Sequence, residues 1–326
     1  MKTQHYINSL ILLAILILPY PTFAQQKEAL DGVPKIVGKG SVSSRDFEFN
    51  FTFHKESKTS FFTKALLPGW RRLSIVQSKQ KDNGQWEEPT LASFSGKFRD
   101  ADPFITPDQS KLIYISDRPS TTKKNDTDYS IWYVELTGKN KEPQLLTGDF
   151  YKDIPSPSYP TMALNGNLYF SAFSQAGGST LYKSVKNADG YGEAIALPFN
   201  DSKYIDLDPM IAPDESFIIF ASNNRAGVGG QDLFVSFNDN GVWSEPVNLG
   251  DKINSRGNDG QPGISSDGRT LYFSTNRMEE TITYKPREKK ITNSELKKEL
   301  GSIFNGFPNI WEVDISDIQK LSPIKS

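Results

Sequence analysis

Residues 103–116 read Pro103-Phe-Ile-Thr-Pro-Asp-Gln-Ser-Lys-Leu-Ile-Tyr-Ile-Ser116. The same plan returns without a gap 106 residues later, at Pro209-Met-Ile-Ala-Pro-Asp-Glu-Ser-Phe-Ile-Ile-Phe-Ala-Ser222. It returns again after a further 53, at Pro262-Gly-Ile-Ser-Ser-Asp-Gly-Arg-Thr-Leu-Tyr-Phe-Ser-Thr275. One step of 53 before Pro103, the stretch Asn50 to Thr63 keeps the pattern, and Tyr159 to Ser171 fits between with a short deletion. Five copies therefore lie about 53 residues apart.

Each copy has one internal plan. A short apolar strand meets a Pro-Asp or Asn-Gly turn, and a second strand such as Leu112 to Ser116 follows. After a variable loop comes a third strand with alternating aromatics, as in Ser130 to Leu136 and Asp232 to Phe237, and then a fourth such as Pro246 to Leu249. Four short strands at a fixed period predict a β-propeller blade, because a sandwich gives no reason for the period. The expected fold is all-β, a propeller of five four-stranded blades. Six is the alternative if residues 25–49 and the C-terminus supply more strands. The last copy has a weak fourth strand, and Pro34 to Gly38 stands where a fourth strand precedes a first. That N-terminal strand is expected to complete the last blade and remove the open edge.

Around the repeat, residues 1–24 carry a signal-peptide layout: Lys2, an aliphatic run from Leu10 to Leu18, Pro19 and Pro21, and a small residue at Ala24. The run is too short to span a membrane. Cleavage near Ala24, a linker over 25–33 and one propeller domain over 34–326 are expected, with an insert at 278–306. No Cys follows the run, so no lipoprotein is expected. The expected location is periplasmic or secreted, and the mature chain is expected to be monomeric with no integral membrane segment.

Composition narrows the chemistry. With 37 Lys+Arg against 39 Asp+Glu, the net charge of −2 leaves no electrostatic footprint for nucleic acid. Zero Cys removes disulfides, thiolate metal sites and a cysteine nucleophile. Of two His, only His54 is expected to survive processing, so no multi-histidine metal site is expected, and no Ser–His nucleophile, because His54 falls in a turn on the opposite face. No cofactor and no metal are expected.

The sequence resembles the TolB-like, WD40-like β-propeller repeat family of exported bacterial proteins. The resemblance rests on Asp102-Pro103 with Thr106-Pro107-Asp108, Asp117-Arg118-Pro119, Asp128 to Trp132, Asp208-Pro209 with Ala212-Pro213-Asp214, and Trp243 to Gly250. It covers about residues 34–320 and implies a fold used mostly as a binding platform. The copy at Ser158-Tyr159-Pro160 lacks the Asp-Pro, and the first copy lacks both the Pro and the Pro-Asp turn.

In a propeller, the loops before first strands and after second strands share one face. Asp100, Asp102, Asp206, Asp208 and Asp259 are expected there with Arg118, Arg225 and Arg277, either as a polar ligand pocket or as repeated blade-to-blade salt bridges or turn clamps. Trp70 and Arg71 break the symmetry and are candidate ligand contacts. Phe150, Tyr151 and Tyr204 could add aromatics to the same face. Asp82 to Trp86 and Asp239 to Trp243 resemble structural Asp-box turns. Leu296, Leu300, Ile303 and Phe304 repeat at helical spacing, predicting an amphipathic helix capped by Asn293 and lying on the propeller. The expected function is a non-enzymatic binding or scaffold module for an envelope protein or a glycan. The alternative is a glycan-active enzyme using Asp102, Asp208 and Asp259.

Overall fold

A computed structural model describes residues 30–138, 141–174, 178–278 and 288–324. The signal segment 1–24 lies outside the described residues, as do parts of the linker and of the 278–306 insert. The chain is all-β, as its alternating patterns require. Five antiparallel units follow one another. Their first strands are Phe47–His54, Asp100–Ile105, Ser158–Met162, Ile205–Ile211 and Asp259–Ile264. Each pairs with a second strand and that with a third, and a two-residue fourth strand lies outermost. The third and fourth units join through one parallel pair, Ser179 with Ile205.

Burial falls from inside outwards. All six residues of Asp100–Ile105 are buried, whereas both residues of Thr90–Leu91 are exposed. The inner strands can therefore be apolar on both faces while the outer ones stay short and polar, which blunts their edges. First strands pack in order: unit one on two, two on three, three on four, four on five, and five back on one.

Every first strand carries the same defect. The register shifts at Phe49/Thr52, Ala101/Phe104, Ser158/Thr161, Leu207/Met210 and Gly260/Gly263. Within each shift one residue takes a left-handed backbone: Asn50, Asp102, Tyr159, Asp208 and Gln261, at φ 57°, 57°, 53°, 56° and 47°. Four of the five precede a proline, which has no N–H to lose at a bulge. The bulge turns these five side chains away from the sheet ladder.

The last unit takes its fourth strand from the N-terminal side. Lys35–Ile36 pairs antiparallel with Asn309–Asp314, Lys35 opposite Glu312 and Ile36 opposite Trp311. Leu30, Val37 and Val42 are buried beside it. The seam between units five and one is tight: a Cβ on Gly263 would stand 2.5 Å from the Phe51 carbonyl oxygen. Gly263→Val is expected to lower stability by about 1–3 kcal/mol through overpacking. An unchanged urea midpoint would show that this seam opens freely.

Turn chemistry follows the motifs. The Asp108 carboxylate accepts from Thr106 Oγ1 and from the Ser110 N–H, and Asp214 and Asp267 repeat the arrangement with Ser216, Ser265 and Arg269. Trp86 packs edge-on against Phe51 and Phe53, and Trp243 against Phe199, so both Asp-box-like turns anchor hairpins.

Two local expectations need correction. The helix spans Asn293–Leu300, but its cap is Thr292, whose side chain accepts from the Glu295 N–H while Glu295 reaches back to the Thr292 N–H. Leu296 is exposed on it, so that side chain is not laid down on the sheets. Phe304, beyond the helix, is the residue that packs on the core. Phe150 and Tyr151 form a buried 3-10 turn inside the hydrophobic core rather than part of a binding face, because the Tyr151 hydroxyl accepts from the Ile131 N–H at 2.7 Å.

Candidate functional site

The predicted arginines are clamps. Arg118 donates to Asp100 at 2.8 Å, Arg225 to Asp206 at 2.7 Å and Arg277 to Asp259 at 2.9 Å, with the three carboxylates almost wholly buried. Each arginine also donates to a carbonyl of the loop entering its own unit, those of Phe94, Phe199 and Ile253. Aromatic rings cover the guanidiniums: Trp132 at 5.1 Å from Arg118, Tyr204 at 4.1 Å from Arg225 and Trp311 at 5.3 Å from Arg277. These groups use their donors inside the unit, so Arg118, Arg225, Arg277 and Asp259 are corrected from ligand contacts to structural pairs. Asp259 is also not the counterpart of Asp102 and Asp208. Counting back from Pro262, it matches Asp100 and Asp206, and Gln261 holds the third ring position.

Asp102 and Asp208 remain, and they share one cavity of about 780 Å³ at the end of the first strands. Its wall combines aromatic groups (Phe47, Trp70, Tyr129, Phe173) with amides (Asn223, Gln231, Asn258, Gln261, Asn276). Trp70 sits at φ 51° and packs edge-on against Phe47 and Phe49, with 45% of its surface exposed. Arg71 is exposed and is not among the lining residues.

The two carboxyls are set by their surroundings. Asp102 Oδ2 accepts the Tyr159 N–H at 3.0 Å, and the Asp102 N–H donates to Thr63 Oγ1 at 3.2 Å. Burial pushes Asp102 up to about 7, against the Tyr159 bond, which favours the charged form. Burial likewise pushes Asp208 up to about 7, the charge of Asp102 adds to the rise, and hydrogen bonds from Gln261 oppose it. The carboxyls therefore feel one another, and near neutral pH one can hold a proton while the other is ionised.

Tyr159 stands between them in chain order and donates its hydroxyl to the Pro262 carbonyl of unit five at 2.7 Å. That bond ties units three and five together across the middle. Several polar atoms here have no protein partner: the Asn50, Asn223 and Ser274 side-chain oxygens are buried and unpaired among the described residues. Asn223 and Ser274 line the cavity. Among the described residues no three His, Asp or Glu come together as metal ligands, and no helix is long and apolar enough to cross a membrane.

Sequence reasoning did not single out Arg99, Phe173 or Gln261, and it noted Tyr159 as a departure from the Asp-Pro pattern without giving it a place in the site. Gln261 could have been found in the same way, as the residue that replaces Asp before Pro262.

No family model and no curated protein matches the chain. Solved structures do. A protein of unknown function from Dyadobacter fermentans DSM 18053 is 10% identical with a TM-score of 0.48, covering 86% of this chain and 97% of that one. A thermostable family-43 glycoside hydrolase is 12% identical with a TM-score of 0.44, covering 74% and 86%. A puromycin hydrolase is 12% identical with a TM-score of 0.43, covering 76% and 49%. Against the expectation of a non-enzyme, the neighbours named for an activity are hydrolases. No residue role is carried across from them.

Proposed function

We propose that the protein is a glycan-active hydrolase whose reaction centre is the pair Asp102 and Asp208. The observation that carries this is two carboxyls in one cavity, each pushed up to about 7 by burial and that of Asp208 further raised by the charge of Asp102, among aromatic rings and amides. Glycosidic bond cleavage needs one carboxylic acid to protonate the leaving oxygen. It needs a second, ionised carboxylate to act as nucleophile or to activate water. A coupled pair titrating near neutrality supplies both forms at once. Exposed faces of Trp70 and Phe173 offer stacking surfaces for sugar rings, and the amides match hydroxyl donors and acceptors.

In this reading the five units are five blades of a closed propeller, with Lys35–Ile36 completing the last. The cyclic packing of first strands and the pairing with Asn309–Asp314 support it. The substrate is met outside the cytoplasm, as the export layout of residues 1–24 suggests.

The test is hydrolysis of an aryl-glycoside and oligosaccharide panel by residues 25–326. Turnover of one glycan class is expected. Asp102→Asn and Asp208→Asn should each lower kcat about 10²–10⁴-fold while the fold is retained. Trp70→Ala should weaken substrate binding more than it slows turnover. Turnover that survives both Asp replacements, or no turnover and no binding of any glycan, would overturn the reading.

A further inference from the structure

We propose that the cavity selects a carboxylated sugar, a uronic acid unit, and that Arg99 grips its carboxylate. This rests on the glycan reading above and names the substrate class of the same site. Among the described residues, Arg99, Asp102 and Asp208 are the charged ones that line the cavity, and Arg99 is the cation. Unlike Arg118, Arg225 and Arg277, it has one edge committed and one edge open. Its Nε donates to Asp117 Oδ2 at 2.7 Å, and its backbone N–H donates to Asp117 Oδ1 at 2.9 Å. Its guanidinium lies over the Tyr129 ring at 5.2 Å. The side chain is thus held in one plane from two sides. Among the described residues Asp117 is its only hydrogen-bonded acceptor, and neither terminal nitrogen makes a bond to any of them.

A planar fork fixed in advance, with two parallel N–H groups free, matches a carboxylate in bidentate geometry. A hydroxyl offers one acceptor oxygen and no charge, so it would use half of this arrangement. Asp117 is a positioning residue: it holds the plane of Arg99 and lies outside the cavity lining. Arg99 is a specificity residue, remote in role from the bond-breaking pair.

Calorimetric titration of the mature chain with D-galacturonate, D-glucuronate and their oligomers, against D-galactose, D-glucose and the neutral oligomers, decides the matter. A uronate is expected to bind about 10- to 100-fold more tightly than its neutral counterpart, the span of a charge-assisted bond pair. Arg99→Gln should erase that preference by lowering uronate binding to the level of its neutral counterpart, with the melting temperature read alongside to show that the fold is kept. Asp117→Asn keeps the charge but frees the plane, and should lose part of the preference. Equal binding of uronate and neutral sugar, or a preference that survives Arg99→Gln, overturns the proposal and leaves the glycan reading standing. Binding of neither class overturns both.

Discussion

Arg118→Met is expected to destabilise the protein by about 3–5 kcal/mol, because it leaves the Asp100 carboxylate buried without its cation. Asp100 is fully buried, and its other side-chain partner is the Ser95 hydroxyl at 2.9 Å. Arg118 also donates to Ser116 Oγ and the Phe94 carbonyl, so the truncation orphans the loop entering the unit as well as the acid. Met keeps the length of the apolar stem, but the guanidinium that lies over the Tyr114 and Trp132 rings is lost with the ion pair, so both effects enter the measured change. Asp100→Leu together with Arg118→Met should recover most of the stability, since a buried pair replaced as a whole costs little. Urea midpoints of the parent, single and double variants measure this. A single variant within experimental error of the parent would mean the pair is solvated in solution. Arg225→Met should behave alike, because that guanidinium meets both oxygens of Asp206.

The second large effect is a fall in stability as pH rises. Asp102 and Asp208 have folded values near 7 against an ordinary carboxyl near 3.8. The folded state therefore holds protons that the unfolded state has released. Their contribution is fully present below the unfolded value, declines as pH rises past it, and is lost once pH passes about 7. Between about pH 5 and pH 8.5 these two groups are expected to cost the parent on the order of 5 kcal/mol, about two tenfold steps in proton affinity for each at roughly 1.4 kcal/mol a step. Asp102→Asn removes one of these groups and also lets Asp208 fall, since the charge of Asp102 helps raise it. The variant should show a flatter profile and exceed the parent in stability above about pH 8. Glu48, also pushed up to about 7 by burial, adds a slope of the same sign that Asp102→Asn leaves in place and Glu48→Gln removes. A parent profile that rises from pH 5 to pH 8.5 would refute the assignment. A site that gains stability and loses turnover on the same substitution is one kept for chemistry at the expense of the fold.

The architecture was legible because packing repeats. Pro103, Pro209 and Pro262 mark the bulge in three units, and the aromatic alternation of third strands marks the layer outside it. The candidate site was legible in part, through Asp102 and Asp208. It failed at Asp259, where an Asp three residues before the proline stood for one that should be a single residue before it. Glu48, Asp100, Asp206 and Asp259 occupy that earlier position, buried in every case. Arg99 was passed over because one-dimensional spacing does not say which arginines spend all their donors internally. Phe150 and Tyr151 were misplaced for the same reason: an aromatic pair in a loop looks alike whether it faces a cavity or plugs a core. Thr292 lost its capping role to Asn293 by one residue, although Glu295, three residues on, carried the capping-box signal.

The pairing of Lys35–Ile36 with Asn309–Asp314 has a mechanical side. Lys35 lies opposite Glu312 and Ile36 opposite Trp311, so the outward end of one strand sits beside the outward end of the other. A tensile load drawn through residues 30 and 324 would peel this clasp rung by rung, like a zipper, instead of shearing all its bonds together. Asp31 and Lys320, paired at 2.8 Å just outside the clasp, would part early. Tethered at both ends and stretched, the molecule yields first where its two ends meet, while the four other units are still shielded from the pull.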